Sequence, residues 1–431
     1  MKRKISIMAL AAVLAVFSGC NSEDEIVNDE PQKEEQEQPG GENDEPGEEN
    51  DWSLVPNAIS LEGGEQAIIN SQNEFAFAVL DKLCECEGNV FISPLSISMA
   101  LSMTANGAET EVQREILTAL GFEGDDLVSL NALNSKLMCE LPNVDNTVKL
   151  SLANSVWVDN SFPVYDTFVS NVKENYKAEI RNVDFQSPTT VGMINAWCSE
   201  KTSGMIPQMV DRLDEKSSLA IFNAVYFKAP WQFKFDEKDT YKEYFRNADG
   251  SVVKSDMMHR VIGNYENYAE TSDCRVLAFP YGSCMPNMGV ELFVMLPKND
   301  SENYPENISA LKFRKQMVNL TMPKFELDYV CSENLRGALK QLGINRLFEA
   351  VVFPGISGNE LSLSEICQKS KIVVDEKGSE ASAVSGMIGV TSDGEDEKQD
   401  VIDFKINRPF RFVIREESTG AILFMGKVNS L

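Results

Sequence analysis

At 431 residues and 43% hydrophobic, the chain can bury a large core, and with no internal repeat it reads as one large mixed domain behind an N-terminal extension. Its net charge of −28 divides as +3 on residues 1–20, −13 on residues 21–51 and −18 on the rest, so the folded part is itself acidic and nucleic acid is not an expected partner. A single histidine, His259, and the lack of a Gly-x-Ser-x-Gly elbow, a His-Glu-x-x-His motif, paired Cys-x-x-Cys motifs or a phosphate-cradling glycine loop argue against hydrolase, metal and nucleotide chemistry; neither catalysis nor a cofactor is expected.

Residues 1–20 read as a targeting segment, with Lys2, Arg3 and Lys4 before an apolar run from Ile5 to Phe17 that is short for a membrane span. Phe17-Ser18-Gly19-Cys20 resembles a bacterial lipobox, in which Cys20 becomes the lipidated N-terminus, although Phe17 stands where Leu or Val is usual. The other reading is an ordinary cleaved signal with a chance cysteine. Residues 21–58 form an acidic tether. From Asn21 to Asp51, fourteen acidic residues face one Lys33, too little apolar surface to order the segment. Asn21-Ser22-Glu23-Asp24-Glu25 resembles the surface-export signal of some Gram-negative lipoproteins, or simply begins the spacer. The expected location is a lipid anchor in a bacterial outer membrane, at the cell surface or on the periplasmic face.

The folded domain, residues 59–431, begins with helices. Phe75, Ala76, Val79, Leu80 and Leu83 recur at helical spacing. Ser93-Pro94 predicts an N-cap and first-turn proline for a buried helix through Ile97, Ala100, Leu101 and Thr104. Thr110 and Gln113 predict a capping box for a third helix, stopped by Gly121. Leu219–Phe227 is a nearly continuous apolar run, as in a central strand covered on both faces. Asn223 interrupts it, so its amide needs buried polar partners. Residues 289–296 predict another strand, and residues 410–414 and 421–428 a hairpin about Ser418-Thr419-Gly420. Without Cys20, eight cysteines remain; they either pair or persist as buried thiols.

From Lys371 to Pro409 the chain runs between two β-rich stretches, Ile372-Val373-Val374 and Val401 to Ile406. The small residues Ser379, Ala381 and Ala383 alternate, as a segment requires if it is to slide between two strands; loop and strand both remain open to it.

Glu376-Lys377-Gly378-Ser379-Glu380-Ala381-Ser382-Ala383 resembles the hinge of inhibitory serpins: Glu, any residue, Gly, Thr or Ser, Glu, Ala, then further small residues. Asn89 to Pro94, Asn223 to Trp231, Asn407 to Phe410 and Gly420 to Gly426 are similar to serpin signatures and occur in serpin order. The resemblance implies an α+β serpin fold, helices packed around three β-sheets, with an exposed reactive-centre loop at about 376–400. It implies a monomeric suicide-substrate inhibitor of serine proteases, extending to papain-like cysteine proteases, that traps the acyl-enzyme by inserting the cleaved loop into the central sheet. It further implies a polar shutter of Ser93, Ser96 and Asn223 under that sheet, with Gln368 where many serpins have histidine, and a breach tryptophan, Trp231. Counting from Glu376 puts the reactive bond at Ser392-Asp393, with Val390-Thr391 and Thr391-Ser392 as competitors; counting back from Pro409 puts it at Lys398-Gln399. Small residues there suit elastase-, subtilisin- or papain-like targets. Val384 stands where Ala is commoner, and Arg411 where an apolar residue is usual, which is read as a solvent-facing strand position. The alternative function is a non-inhibitory surface binding module of the same fold.

Overall fold

A computed structural model describes residues 57–122, 126–214, 217–260, 265–283, 289–299, 303–379 and 400–431. Cys20, the tether to residue 56, the hinge residues Glu380 to Ala383 and the reactive-bond candidates Val390, Thr391, Ser392, Asp393 and Lys398 lie outside the described residues.

The chain opens with α1 (Glu65–Leu83), whose Phe75, Ala76, Val79, Leu80 and Leu83 are buried as the spacing requires. After β1 (Val90–Ile92) comes α2 (Pro94–Ala105), buried along its whole length; the Ser93 hydroxyl accepts from the Ser96 N–H and Pro94 fills the first turn. α3 (Thr110–Ala119) corrects the expected capping box. Thr110 is already helical, Glu109 is the N-cap without a side-chain cap bond, and Gln113 donates to the Ala105 carbonyl at 3.1 Å. Tertiary contact decides this end, because Glu109 is drawn to Arg346, 2.6 Å away. The far end behaves as expected. Gly121 adopts φ +84°, and the Phe122 N–H returns to the Leu117 carbonyl.

Then follow α4 (Leu127–Glu140), β2 (Lys149–Asp159), α5 (Asp166–Tyr176), β3 (Glu179–Val183), α6 (Pro188–Lys201) and β4 (Leu219–Pro230). Next come β5 (Thr240–Arg246), β6 (Val252–Arg260), β7 (Tyr265–Glu270), β8 (Cys274–Pro280), β9 (Val290–Pro297), β10 (Arg314–Pro323), β11 (Phe325–Cys331) and α7 (Glu333–Gln341). The chain closes with β12 (Ala350–Val352), β13 (Glu360–Asp375), β14 (Gly378–Ser379), β15 (Ile402–Lys405) and the hairpin β16 (Phe410–Glu416) and β17 (Ile422–Val428).

One sheet has seven strands in the order β11-β13-β14-β4-β2-β3, with β12 on β13. The expected second and third sheets are joined into one of ten strands. The first half of β10, from Arg314 to Met317, pairs with β7, while its second half pairs with β6 and β15. One long strand thus belongs to both.

Arg411 corrects another expectation. It is buried on β16, with its guanidinium 2.5 Å from Asp81 of α1 and 4.4 Å from the Tyr304 ring centre. A planar cation that stacks and pairs can occupy an otherwise apolar position. Cys198, Cys274 and Cys331 are buried thiols, and burial pushes them up to about 12.

His259, on β6, packs flat on Tyr241 with ring centres 3.9 Å apart, and its Nε2 lies 3.2 Å from the Glu243 carboxylate. Thr321 Oγ1 lies 3.1 Å from its Nδ1, and Lys405 pairs with Glu243. Burial holds the imidazole below its usual 6.5, with Lys405 acting in the same sense against Glu243 and Asp239. The unfolded chain therefore takes up this proton first, so the associated stability is full above pH 6.5 and is lost as pH falls from 6.5 towards the depressed value. Thermal melts between pH 7.5 and 5 should show a shallower loss for His259→Gln than for the native chain; equal slopes would refute the assignment.

Candidate functional site: the hinge and the seam it enters

β13 and β14 form a hairpin through the two-residue turn Glu376-Lys377. Val374 pairs with Ser379 and Asp375 with Gly378; on its other edge β14 pairs with β4 through Pro230 and Ala229. The hinge is therefore already a strand at one end of the sheet. Two residues of the expected loop, Gly378 and Ser379, are thus paired in the sheet. Gly378 is required there, since it adopts φ +143° and a Cβ would come within 2.2 Å of the Ala229 carbonyl oxygen. Ser379 is fully buried, with its Oγ 2.7 Å from the Tyr281 hydroxyl. Burial raises the Tyr281 phenol well above its usual range, keeping it a neutral hydrogen-bonding group.

Trp231 closes the same end of the sheet. Its indole N–H donates to the Asp375 carbonyl at 2.8 Å, its backbone N–H to Lys377 at 2.9 Å, and its ring stacks on Tyr281 at 4.4 Å. The Glu376 carboxylate accepts from Lys324 and from Thr240, each at 2.8 Å. Burial alone would raise the Glu376 carboxyl, but these donors hold it below its usual range, and Glu376 in turn raises Lys324. Sequence reading missed Tyr281, Lys324 and Thr240. They lie 98, 52 and 136 residues from their hinge partners, and none breaks a local pattern.

Beyond the hinge, β13 and β4 close on each other as a parallel pair, from Lys371 opposite Tyr226 to Leu363 opposite Leu219. Gln368 and Asn223 face one another across this seam, with Gln368 Nε2 donating to Asn223 Oδ1 at 3.2 Å. The same amide donates to the Ser93 carbonyl at 2.9 Å and accepts from the Ser93 N–H at 2.7 Å, while the Ser93 hydroxyl meets Ser96 at 3.1 Å. The expected shutter residues are thus brought together, with one correction: among the described residues Asn223 makes no direct hydrogen bond to Ser93 or Ser96 and is linked to Ser93 through Gln368. Its amide donates instead to Asn154 on β2 at 2.8 Å. Asn154 was legible in principle, since it interrupts an apolar strand as Asn223 does.

A two-residue strand thus sits at one end of a parallel seam, above a cluster of buried amides and hydroxyls. The serpin family model (serine protease inhibitor) matches residues 70–431, and the chain belongs to this family. It is 34% identical to a serpin-like protein of Thermococcus kodakarensis over 85% of this chain and 86% of that one. It is 33% identical to the leukocyte elastase inhibitor of Xenopus tropicalis over 83% and 97%. The native state of the thermophilic serpin tengpin matches with a TM-score of 0.75 at 28% identity, covering 89% of this chain and 99% of that one. Many serpins inhibit proteases, and some do not.

Proposed function

We propose that this chain is a suicide-substrate inhibitor of serine proteases, extending to papain-like cysteine proteases, and that lipid on Cys20 anchors it to a bacterial outer membrane. The observation that carries the inhibitory reading is the hinge already seated between β13 and β4. A protease that attacks the loop forms its ordinary acyl-enzyme, and the freed segment continues along the seam behind Ser379. Each residue that enters replaces one parallel ladder by two antiparallel ones, so insertion gains backbone pairing as it proceeds.

The register sets how far it goes. Continuing the Val374–Ser379 pairing places Ser385 opposite Gln368, and continuing the Ala229–Ser379 pairing places the same Ser385 opposite Asn223. A hydroxyl is thereby offered to both amides at the point where their mutual bond is broken. Counted on without allowance for the register shift between Leu363 and Glu365, Ser392 would fall opposite Leu361, next to the far end of β13 at Glu360. Cleavage at Ser392-Asp393 therefore supplies a strand that fills the seam, whereas cleavage after Lys398 supplies six residues too many. The thirteen residues from Glu380 to Ser392 span about 43 Å when extended, enough to carry the tethered protease along the sheet and distort its active site.

Incubation of the chain lacking residues 1–20 with elastase-, subtilisin-, trypsin- and papain-like proteases, followed by denaturing electrophoresis and mass spectrometry, tests this. The expected result is a denaturation-resistant band at the summed mass and a released peptide beginning at Asp393. Clean cleavage with every protease left fully active would sink the inhibitor reading and favour a binding module.

A further inference from the structure

The face of the seven-stranded sheet turned away from the main core carries two lysines that no step of the mechanism uses. Along β4, Val225, Phe227 and Ala229 belong to the main core, while Ala220, Phe222 and Ala224 pack with Trp157 of β2 and Trp197 of α6 in a second cluster. Lys228 alternates onto that second face. On β2, Leu150 and Leu152 join the main core and Ala153 and Trp157 the second cluster, so Lys149 lies on the same face as Lys228. The two are directly opposite in the antiparallel β2–β4 ladder, Lys149 exposed and Lys228 half-buried. Like charges so placed repel. The acids of β11 on this face are engaged by lysines of β13, Glu326 with Lys371 at 2.7 Å and Asp328 with Lys369 at 3.8 Å. Lys149 makes no ion pair among the described residues. The hinge ends beside these lysines. Ser379, fully buried, pairs with Ala229 and Val374, both of the main core. The next residue in sequence is Glu380, and one further step of the same register places it opposite Lys228, on the lysine face.

We propose, resting on the insertion mechanism above, that Lys228 backed by Lys149 is the receiving site for the Glu380 carboxylate as the hinge strand advances, and so a positioning residue for loop insertion. The first residue to enter behind Ser379 is an acid, which needs a cation beside it once it leaves water. At Lys228 it relieves a lysine–lysine repulsion and gains a cross-strand pair of opposite charge. The charge that would otherwise impede entry thereby fixes the register in which Ala381 and Ala383 follow.

The test measures, on the full chain, the ratio of cleaved inhibitor to trapped protease and the Tm of the loop-cleaved form. Lys228→Glu and Glu380→Lys each set like charges opposite one another, and each should raise the ratio about fivefold and lower that Tm. The double variant restores an opposite pair and should recover most of both, which also shows that Lys228→Glu folds. Unchanged values in the single variants, or a double variant no better than the worse single one, would overturn the proposal. A Lys228→Glu defect that is reproduced by deleting residues 21–51 and not repaired by Glu380→Lys would also overturn it, handing the lysines to the acidic tether. If the native chain traps no protease, the inhibitor reading fails while the Tm of the cleaved form still reads the pair; a native chain that gains no Tm on cleavage sinks both.

Discussion

On the proposed mechanism, Ser379→Arg should convert the chain from inhibitor to substrate. Ser379 is fully buried in the slot between β13 and β4, with the neutral Tyr281 hydroxyl as its side-chain partner. A guanidinium there would enter a slot whose side-chain partner is a neutral hydroxyl, while the nearby Glu376 carboxylate is already held by Lys324 and Thr240, and burying a poorly paired cation costs several kcal/mol. The hinge strand would then leave the sheet, and the cleaved loop would have to push that charge back in before the acyl-enzyme hydrolyses. If about half of the cost falls on the insertion barrier, insertion slows by roughly 10²-fold. The expected readout is near-complete cleavage with little denaturation-resistant complex. Ser379→Ala, which loses about 1 kcal/mol of hydrogen bonding, should still form complex. Undiminished complex from the arginine variant would show that hinge entry does not decide the outcome.

Gln368→Ala should be the most destabilising single change at the seam. One amide makes three bonds there, two to the Ser93 backbone and one to Asn223, all buried. Truncation strands the Ser93 N–H and the Asn223 oxygen and leaves a cavity, for about 3–5 kcal/mol in all. In a domain of this size that lowers Tm by about 5–10 °C. Because the lost bond to Asn223 crosses the seam, the variant should also convert faster to a loop-inserted, inactive form on warming. Gln368→His should recover part of the stability and add a dependence on pH near 6–7, since imidazole offers one donor and one acceptor only while neutral. Thermal melts and timed assays of residual complex formation measure both effects; an unchanged Tm for Gln368→Ala would exclude the lock.

The sequence by itself determined whatever is encoded locally. The α1 stripe, the Ser93-Pro94 helix start, the Gly121 stop and the Leu219–Phe227 strand all follow from periodicity, capping and chirality. Asn223 announced itself as an amide in an apolar strand, although its partners did not. Tertiary structure alone decided the rest. The Thr110 capping box yielded to a salt bridge from Glu109 to a residue 237 positions away. Arg411 was drawn inside by Asp81, 330 positions away. Gln368 came between Asn223 and Ser93, and the hinge found Tyr281, Lys324 and Trp231 only because the chain just after β8, just before β11 and just after β4 meets it in the folded protein. Whether Ser379 belongs to a loop or a strand depends on two edges offered by β13 and β4. Backbone pairing between distant segments leaves no trace in local periodicity, so that state could be read only from the folded chain.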